Sequence, residues 1–472
     1  MIVAENSVDF NSLEQEICRK CYELGRMALK SQLEKWDVKL MVNRDRTVYR
    51  HKGRKKTVIK TIMGEVEYSR AIYERKNEDG TKNFVYLLDE AMGISGSGFM
   101  SGMLSAQVAK AACAGTYRRA AQSVSEMTGQ AISHTAAWNV VQELGNRIDA
   151  QEKAAAALAA QSKGSGQLES KVLFEEQDGI WLHLQGKSRK EHGKAKEMKV
   201  AIAYDGAEKV GQKRYRLTNK VAAANFESIN KFVRRKEGKI AETYCVDEIE
   251  TRILNGDGAS WIKQSITDET VIFQLDTFHR NKAIHENVSD PAMKKEIFRL
   301  LYSKKIDDLL VYIEALSNSV EDEKEREKLT TLHTYFTTNK DGLTSWHLRG
   351  LNLPKPPEGK EYHRLGAMES NIFTIIGNRM KGGRACWSVN GGNNLARLLT
   401  LKHTNKLHNT LDLLTNCFLP QKLAEEITVR MSASQAPKQD GRGFEPVRAG
   451  AAPATPDYKF LRNIGKTKSA LS

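Results

Sequence analysis

Three acidic residues stand in settings that present a carboxylate. Asp178 interrupts an apolar run, Val172-Leu173-Phe174-Glu175-Glu176-Gln177-Asp178-Gly179-Ile180-Trp181-Leu182. Asp257 lies between two glycines in Asn255-Gly256-Asp257-Gly258-Ala259-Ser260-Trp261, where a strand pattern gives way to a helical one. Glu369 falls early in a helical stretch, Ala367-Met368-Glu369-Ser370-Asn371. Together they could hold a pair of Mg²⁺ ions. Hard cations take oxygen ligands, and two of them about 4 Å apart stabilise both oxygens of an in-line phosphoryl transfer. An acid on an otherwise apolar strand is costly to bury unless paired or metal-bound, which favours Asp178 as a ligand over an exposed edge acid. Gly256 and Gly258 would let backbone approach a phosphate at a helix N-terminus, although a capping turn accounts for Asp257 by itself. Asp276 and His279 follow the strand-like Val271-Ile272-Phe273-Gln274-Leu275 and could share the first turn of a helix facing the site. A structural pair, His279 bonded to Asp276, competes with a supporting catalytic role. No further ligand completes a zinc site there.

Basic residues cluster around these acids. The chain has 472 residues and a formal net charge of +15, which points to a polyanionic partner because Lys and Arg release condensed counterions from phosphates. Lys187, Arg189 and Lys190 fall in a basic hairpin loop just after the Asp178 strand, and Lys231, Arg234, Arg235, Lys236 and Lys239 form a second basic face. Arg379, Lys381 and Arg384 make a third run, beside Gly382 and Gly383, suited to gripping a DNA backbone. Trp346 could stack on an unpaired base, with core packing the competing reading.

The elements that must position these groups follow from periodicity. Residues 8–42 read as an amphipathic helix pair, with Cys18 and Cys21 as buried helix cysteines rather than half of a zinc site. Residues 45–90 alternate as antiparallel hairpins with a turn at Asp79-Gly80. Residues 98–150 return to helix, and Arg118, Arg119, the Gly129 turn and the polar Ser133, His134 and Thr135 suit a helix-turn-helix whose second helix enters a groove. An ordinary helical hairpin in a core fits equally well. A linker runs to residue 170. Apolar strands are then predicted at 171–185, 197–205 and 213–219, a helix at 226–238, strands at 241–246 and 250–255, a helix at 258–265 and a strand at 270–275. That order suggests a multidomain α+β chain with a ribonuclease-H-like α/β core. The core would comprise 171–282 and 366–418, interrupted by an all-helical insertion at 283–365. The modules before it are 1–44, 45–97 and 98–152, then the linker 153–170. Residues 419–472 read as a flexible basic tail carrying Arg442, Arg448, Arg462, Lys466 and Lys468.

Six cysteines make no disulfide framework, no window approaches 18 uninterrupted apolar residues, and the N-terminus lacks a secretory pattern. A cytoplasmic protein with no membrane contact is expected.

The motifs Asp178-Gly179-Ile180-Trp181, Gly256-Asp257-Gly258-Ala259-Ser260-Trp261-Ile262, Asp276-x-x-His279 and Glu369-Ser370-Asn371, with Arg379-Met380-Lys381 and Trp387-Ser388, resemble the ISLre-two family of bacterial insertion-sequence transposases. Leu87-Leu88-Asp89-Glu90 adds to the likeness, which covers nearly the whole chain except the tail. The resemblance implies a DDE transposase of the bacterial cytoplasm, nucleoid-associated, that cuts and joins double-stranded DNA at terminal inverted repeats. It makes Asp178, Asp257 and Glu369 the metal-binding triad, with Mg²⁺ as cofactor and Mn²⁺ as a substitute. Asp276 and His279 then match the C/D-x-x-H signature of a wider transposase group. Synapsis of two ends implies at least a homodimer. Two rivals stand beside this reading: a metal-dependent nuclease without strand transfer, and a non-catalytic DNA-binding regulator.

Overall fold

The computed structural model describes residues 9–415 apart from 78, 94–99, 162–165, 213 and 267–268. The basic tail read over 419–472 and the middle of the 153–170 linker lie outside the described residues. The chain opens on α1 (Phe10–Asn43), started by Asp9, whose carboxylate accepts the Asn11 and Ser12 amides. The expected helix pair is one continuous helix. No proline breaks it, and its one glycine, Gly25, sits where a Cβ would strike Met63 Sδ at 2.4 Å. Leu29, Leu33, Trp36 and Leu40 pack on a three-stranded antiparallel sheet, β1 (Tyr49–Thr61), β2 (Gly64–Lys76) and β3 (Lys82–Val85). Among the described residues nothing covers the first turns of α1, where Cys18 and Cys21 are exposed rather than buried. After α2 (Leu87–Ala91) come α3 (Gly102–Ala114), α4 (Tyr117–Thr128) and α5 (His134–Ala159). Gly129, at φ +66°, supplies the left-handed turn that ends α4.

The second sheet carries the site. Its strands are β4 (Val172–His183), β5 (Ala195–Tyr204), β8 (Val221–Asn225), β9 (Thr251–Gly256) and β10 (Val271–Leu275), in spatial order β10-β9-β4-β5-β8. β5 runs antiparallel to β4 and β8 antiparallel to β5, whereas β9 is parallel to β4 and β10 parallel to β9. Between these strands lie α6 (Gly186–His192), the exposed two-stranded ribbon β6 (Ala207–Gly211) and β7 (Arg214–Leu217), α7 (Ile229–Ala241) and the single turn α8 (Ser260–Lys263). Several expectations change here. Of the strand predicted at 213–219, Arg214–Leu217 form β7 of the ribbon, and β8, too rich in alanine to stand out, takes the place in the sheet. Residues 241–246 are the end of α7 and a turn, with Tyr244 making one isolated bridge to Leu168. The segment after β4 is a short helix rather than a hairpin loop.

Both faces of the sheet are covered, which explains why β4 reads as an almost unbroken apolar run. Leu173, Ala203, Ile240 and Tyr244 form one side with α7, while Val172, Phe174, Ile180 and Leu182 pack on the other. That other side is built from α13 (Met368–Ile372), a π-helical turn (Phe373–Gly377), α14 (Asn378–Met380), α15 (Val389–His403) and α16 (Leu407–Thr415), together with α3 to α5. Between the sheet and α13 lie α9 (Thr277–Asn287), α10 (Pro291–Tyr302), α11 (Ile306–Ser319) and α12 (Glu323–Thr338), which share their own apolar cluster around Ile284, Ile297, Leu309, Ile313 and Leu332. Trp346 is buried against Phe174, ring centroids 5.5 Å apart, so packing is its role. Among the described residues no helix is long and apolar enough to cross a membrane.

Candidate metal centre

Strand register alone brings three aspartates level. Gln177 of β4 is opposite Gly256 of β9, and Gly256 is opposite Leu275 of β10. The next residue along each strand is Asp178, Asp257 and Asp276. Neighbouring strands lie about 4.8 Å apart, so the three stand in a row: Asp257 and Asp276 just past the carboxyl ends of β9 and β10, and Asp178 on β4 where its parallel pairing with β9 stops. Ligands of open α/β sheets bind at such ends.

Each side chain is held differently. Asp178 is half-buried and accepts the Gly179 amide at 2.7 Å. Asp257 accepts the Ala259 amide at 2.8 Å, and its carbonyl accepts the Tyr335 hydroxyl at 2.7 Å. Asp276 is buried, caps α9 through the Phe278 amide at 2.8 Å, and accepts Asn255 Nδ2 at 3.1 Å. One turn into α9, His279 Nε2 lies 3.7 Å from Asp178 Oδ2, so its partner is Asp178 and not the expected Asp276. Glu369 is exposed at the start of α13 and reaches the same place from the far side of the helical segment. One ligand atom each from Asp178, His279 and Glu369 lie within 4.8 Å of one another. Gln177, Asp257, Asp276, Phe278, Gly366 and Met368 complete the lining of this cleft.

The electrostatics suit a cation. Burial raises the Asp257 carboxyl above its ordinary value; the Ala259 amide opposes this, and the Asp178 charge adds to it. His279 is raised above the usual imidazole value by the Asp178 carboxylate beside it, against the opposing effect of burial. In the metal-free protein, that stabilisation is full below the ordinary imidazole value near 6.5 and is lost as pH rises through the folded value. NMR titration of His279 should therefore give a midpoint above 6.5 that falls in Asp178→Asn. An unmoved midpoint would break the assigned pairing.

The two glycines around Asp257 have a cause other than phosphate approach. A Cβ on Gly256 would meet Ile262 Cγ2 at 2.8 Å, and one on Gly258, at φ +84°, would meet Asn339 Oδ1 at 2.4 Å. Protein atoms fill that space, and α8 is too short to offer an anion site. The donor set of carboxylates with one imidazole fits a divalent cation. Asp178, Asp257 and Glu369 supply the oxygens a hard ion prefers, and Mn²⁺ also accepts imidazole.

The basic residues divide into two groups. Arg118 and Arg119 on α4 are exposed, as are His134 and Thr135 in the first turn of α5, while Ser133 caps that helix through the Ala136 amide at 3.0 Å. Further along, α4 buries Ala120, Ala121 and Val124 and α5 buries Val140, Val141, Leu144 and Ile148, so the pair packs one face into the core and leaves Gln122, Glu126, Met127 and Trp138 exposed. Lys187, Arg189 and Lys190 project from α6, whose Ser188 hydroxyl accepts the Val389 amide at 3.0 Å. That contact sets α6 beside the turn following the exposed Lys381 and Arg384.

The remaining cations are structural. Arg379 is not a free grip: its Nε donates to the Ala112 carbonyl at 2.8 Å, and its guanidinium lies 5.4 Å from both the Tyr117 and Trp387 rings. On α7, Arg235 pairs with Asp149 at 2.6 Å, Lys236 with Glu175 at 2.6 Å and Lys239 with Glu152 at 2.7 Å. Lys231 and Arg234 alone of that proposed face stay exposed. Sequence reasoning also passed over Glu175 and Glu176, two fully buried acids on β4. The signal was present, since two carboxylates inside an apolar run require buried partners.

Residues 3–410 match the uncharacterised protein family UPF0236. The chain belongs to that family. It is similar to a UPF0236 protein in the vanSb 3′ region of Streptococcus gallolyticus, 25% identical over 410 residues and covering 84% of each chain. A UPF0236 protein of Caldanaerobacter subterraneus subsp. tengcongensis is 23% identical over 349 residues, 72% of this chain and 68% of its own; its name carries eleven locus designations. A further UPF0236 protein of that organism is 23% identical over 331 residues, 68% of this chain and 64% of its own, under four designations.

Proposed function

We propose that this chain is a DDE transposase of the ISLre-two kind, which cleaves DNA at the ends of its element and joins them to a target. The observation that carries the reading is the meeting of Asp178, Glu369 and His279 beside Asp257, from segments separated by up to 191 residues of chain. Two further observations support it. A five-stranded sheet whose central strand β4 runs parallel to β8, β9 and β10, with only β5 reversed, is the arrangement expected of a ribonuclease-H-like core, with one acid within β4 and one just beyond the end of β9. One relative's name also gives a single protein eleven loci, and repetition of one sequence within a genome is what a mobile element leaves.

Asp178, Asp257 and Glu369 would hold the divalent ions, Mg²⁺ or Mn²⁺, which supply Lewis-acid stabilisation of charge on the phosphate oxygens when bound. The protein's own contribution is positional. His279 orients Asp178, the parallel register of β4 and β9 sets Asp178 and Asp257 side by side, and α13 brings Glu369 to them. Exposed cations at Arg118, Arg119, Lys187, Arg189, Lys190, Lys381 and Arg384 would bind the duplex backbone, and the free end of α5 with His134 and Thr135 would meet a groove. Two ends held together call for at least two copies of the chain.

The test supplies DNA ending in the element's terminal repeats, already cut to leave 3′-hydroxyls, with Mg²⁺ and a supercoiled target. Joined products are expected. Cleavage of uncut ends without joining of pre-cut ends would instead make the protein a nuclease, and DNA binding with neither reaction would make it a regulator.

A further inference from the structure

Glu176 is buried in the middle of β4, two residues before Asp178, so both side chains point to the same face of the strand. Every polar contact it makes is with a donor. Its Oε1 accepts the Tyr204 hydroxyl at 2.6 Å and the Ala367 amide at 3.2 Å. Its Oε2 accepts the Gly366 amide at 2.9 Å, the Met368 amide at 3.1 Å and Asn255 Nδ2 at 3.3 Å. Three of these donors are consecutive backbone amides, 190 to 192 residues away, and the next residue is Glu369. Asn255 extends the network: its amide also reaches Asp276, its Oδ1 accepts Gln274 Nε2 at 3.1 Å, and Gln274 Oε1 accepts the Trp346 amide at 2.8 Å.

Glu369 needs such a device. It follows a segment, residues 349–367, with almost no regular structure, and the first amides of a helix have no partner within it. A carboxylate from the central strand satisfies these amides and ties the segment to the strand that carries Asp178.

We infer that Glu176 is the positioning residue of the carboxylate centre, fixing where Glu369 stands relative to Asp178. The inference rests on the proposed reading of that centre as a divalent-ion site. Substitution by glutamine tests it without opening a cavity. Whichever way the amide is turned, its NH₂ faces at least two donors, so half of the clamp is lost while volume and packing stay.

The experiment compares the full chain with Glu176→Gln by Mn²⁺ titration (isothermal calorimetry or electron paramagnetic resonance), thermal melting, and hydrogen exchange at 366–369. Mn²⁺ affinity should fall roughly 10- to 100-fold, the range seen when groups orienting metal ligands are removed. Exchange should accelerate at 366–368, and strand cleavage should recover as Mn²⁺ is raised, which a general loss of stability would not allow. Glu176→Asp keeps the charge but withdraws it by one methylene, and gives the same readout should the glutamine variant not fold. Unchanged Mn²⁺ affinity in a folded variant overturns the inference alone. If the unaltered protein binds no Mn²⁺, the metal reading falls first and this inference with it.

Discussion

Asp178→Asn should lower divalent-ion-dependent strand cleavage at least about 10³-fold, equivalent to about 4 kcal/mol of transition-state stabilisation. The asparagine has the same shape but one neutral oxygen in place of a charged carboxylate, and Asp178 stands between His279 at 3.7 Å and the Asp257 and Glu369 side of the cleft. At a pH where His279 is already neutral, the change only relieves repulsion with Asp257, so the metal-free variant should melt no lower than the parent there; at lower pH it also loses the His279 pairing. Binding to end DNA in the absence of divalent ions should persist, since the exposed cations are untouched. The measurements are cleavage of a labelled duplex bearing the element ends, Mn²⁺ titration and a melting curve. Cleavage within tenfold of the parent would remove Asp178 from the reaction.

The largest effect on stability is expected away from the cleft, at Glu175→Gln. Glu175 is fully buried and accepts Lys236 Nζ and Arg252 Nε, each at 2.6 Å. Burial opposes its ionisation, but the Arg252 and Lys236 charges outweigh this and hold the carboxyl down to about 2. Its loss leaves Lys236 and Arg252 to share Glu237, at 3.0 and 2.9 Å, as their remaining carboxylate; breaking a buried ion pair typically costs about 3–5 kcal/mol. Linkage gives a second signature. With the folded value below the unfolded one, the stabilisation is present above about pH 4.5 and drains away as pH falls toward 2. Denaturant melts of the parent at pH 6 and pH 3 should differ by more than those of the variant. Equal pH dependence in the two would show that Glu175 carries no such linkage.

Much of the fold was legible from pattern. The hairpins of β1 and β2, the long apolar run of β4, the alternation of β9, α8 and β10, and the apolar stripe of α11 all follow from periods of two or 3.6 residues. Composition misled where context decides. The alanine-rich β8, with Val221 its one β-branched residue, lacks the pattern that marks a strand, yet it pairs with β5 and is buried between α7 and α15. Cys18 and Cys21 share a helical stripe with Leu13, Ile17 and Leu24, but periodicity states which face is apolar and not whether anything covers it. The cations of α7 likewise read as a DNA face because a one-dimensional pattern does not reveal that Glu175, Asp149 and Glu152 wait opposite them.

For the site, the sequence by itself determined the identities and local settings of Asp178, Asp257, Asp276 and Glu369: one acid interrupting an apolar strand, two where strands end, and one early in a helix. These are short-range facts, fixed by a few neighbouring residues. Only the tertiary structure decided that Gln177, Gly256 and Leu275 share one register, that His279 turns to Asp178 rather than Asp276, and that Glu176 binds the amides before Glu369. Those depend on pairings across 19 to 192 residues, whose geometry is set by strand order and by the packing of the helices between. Local sequence specifies a carboxylate; its distance from another is a property of the folded sheet.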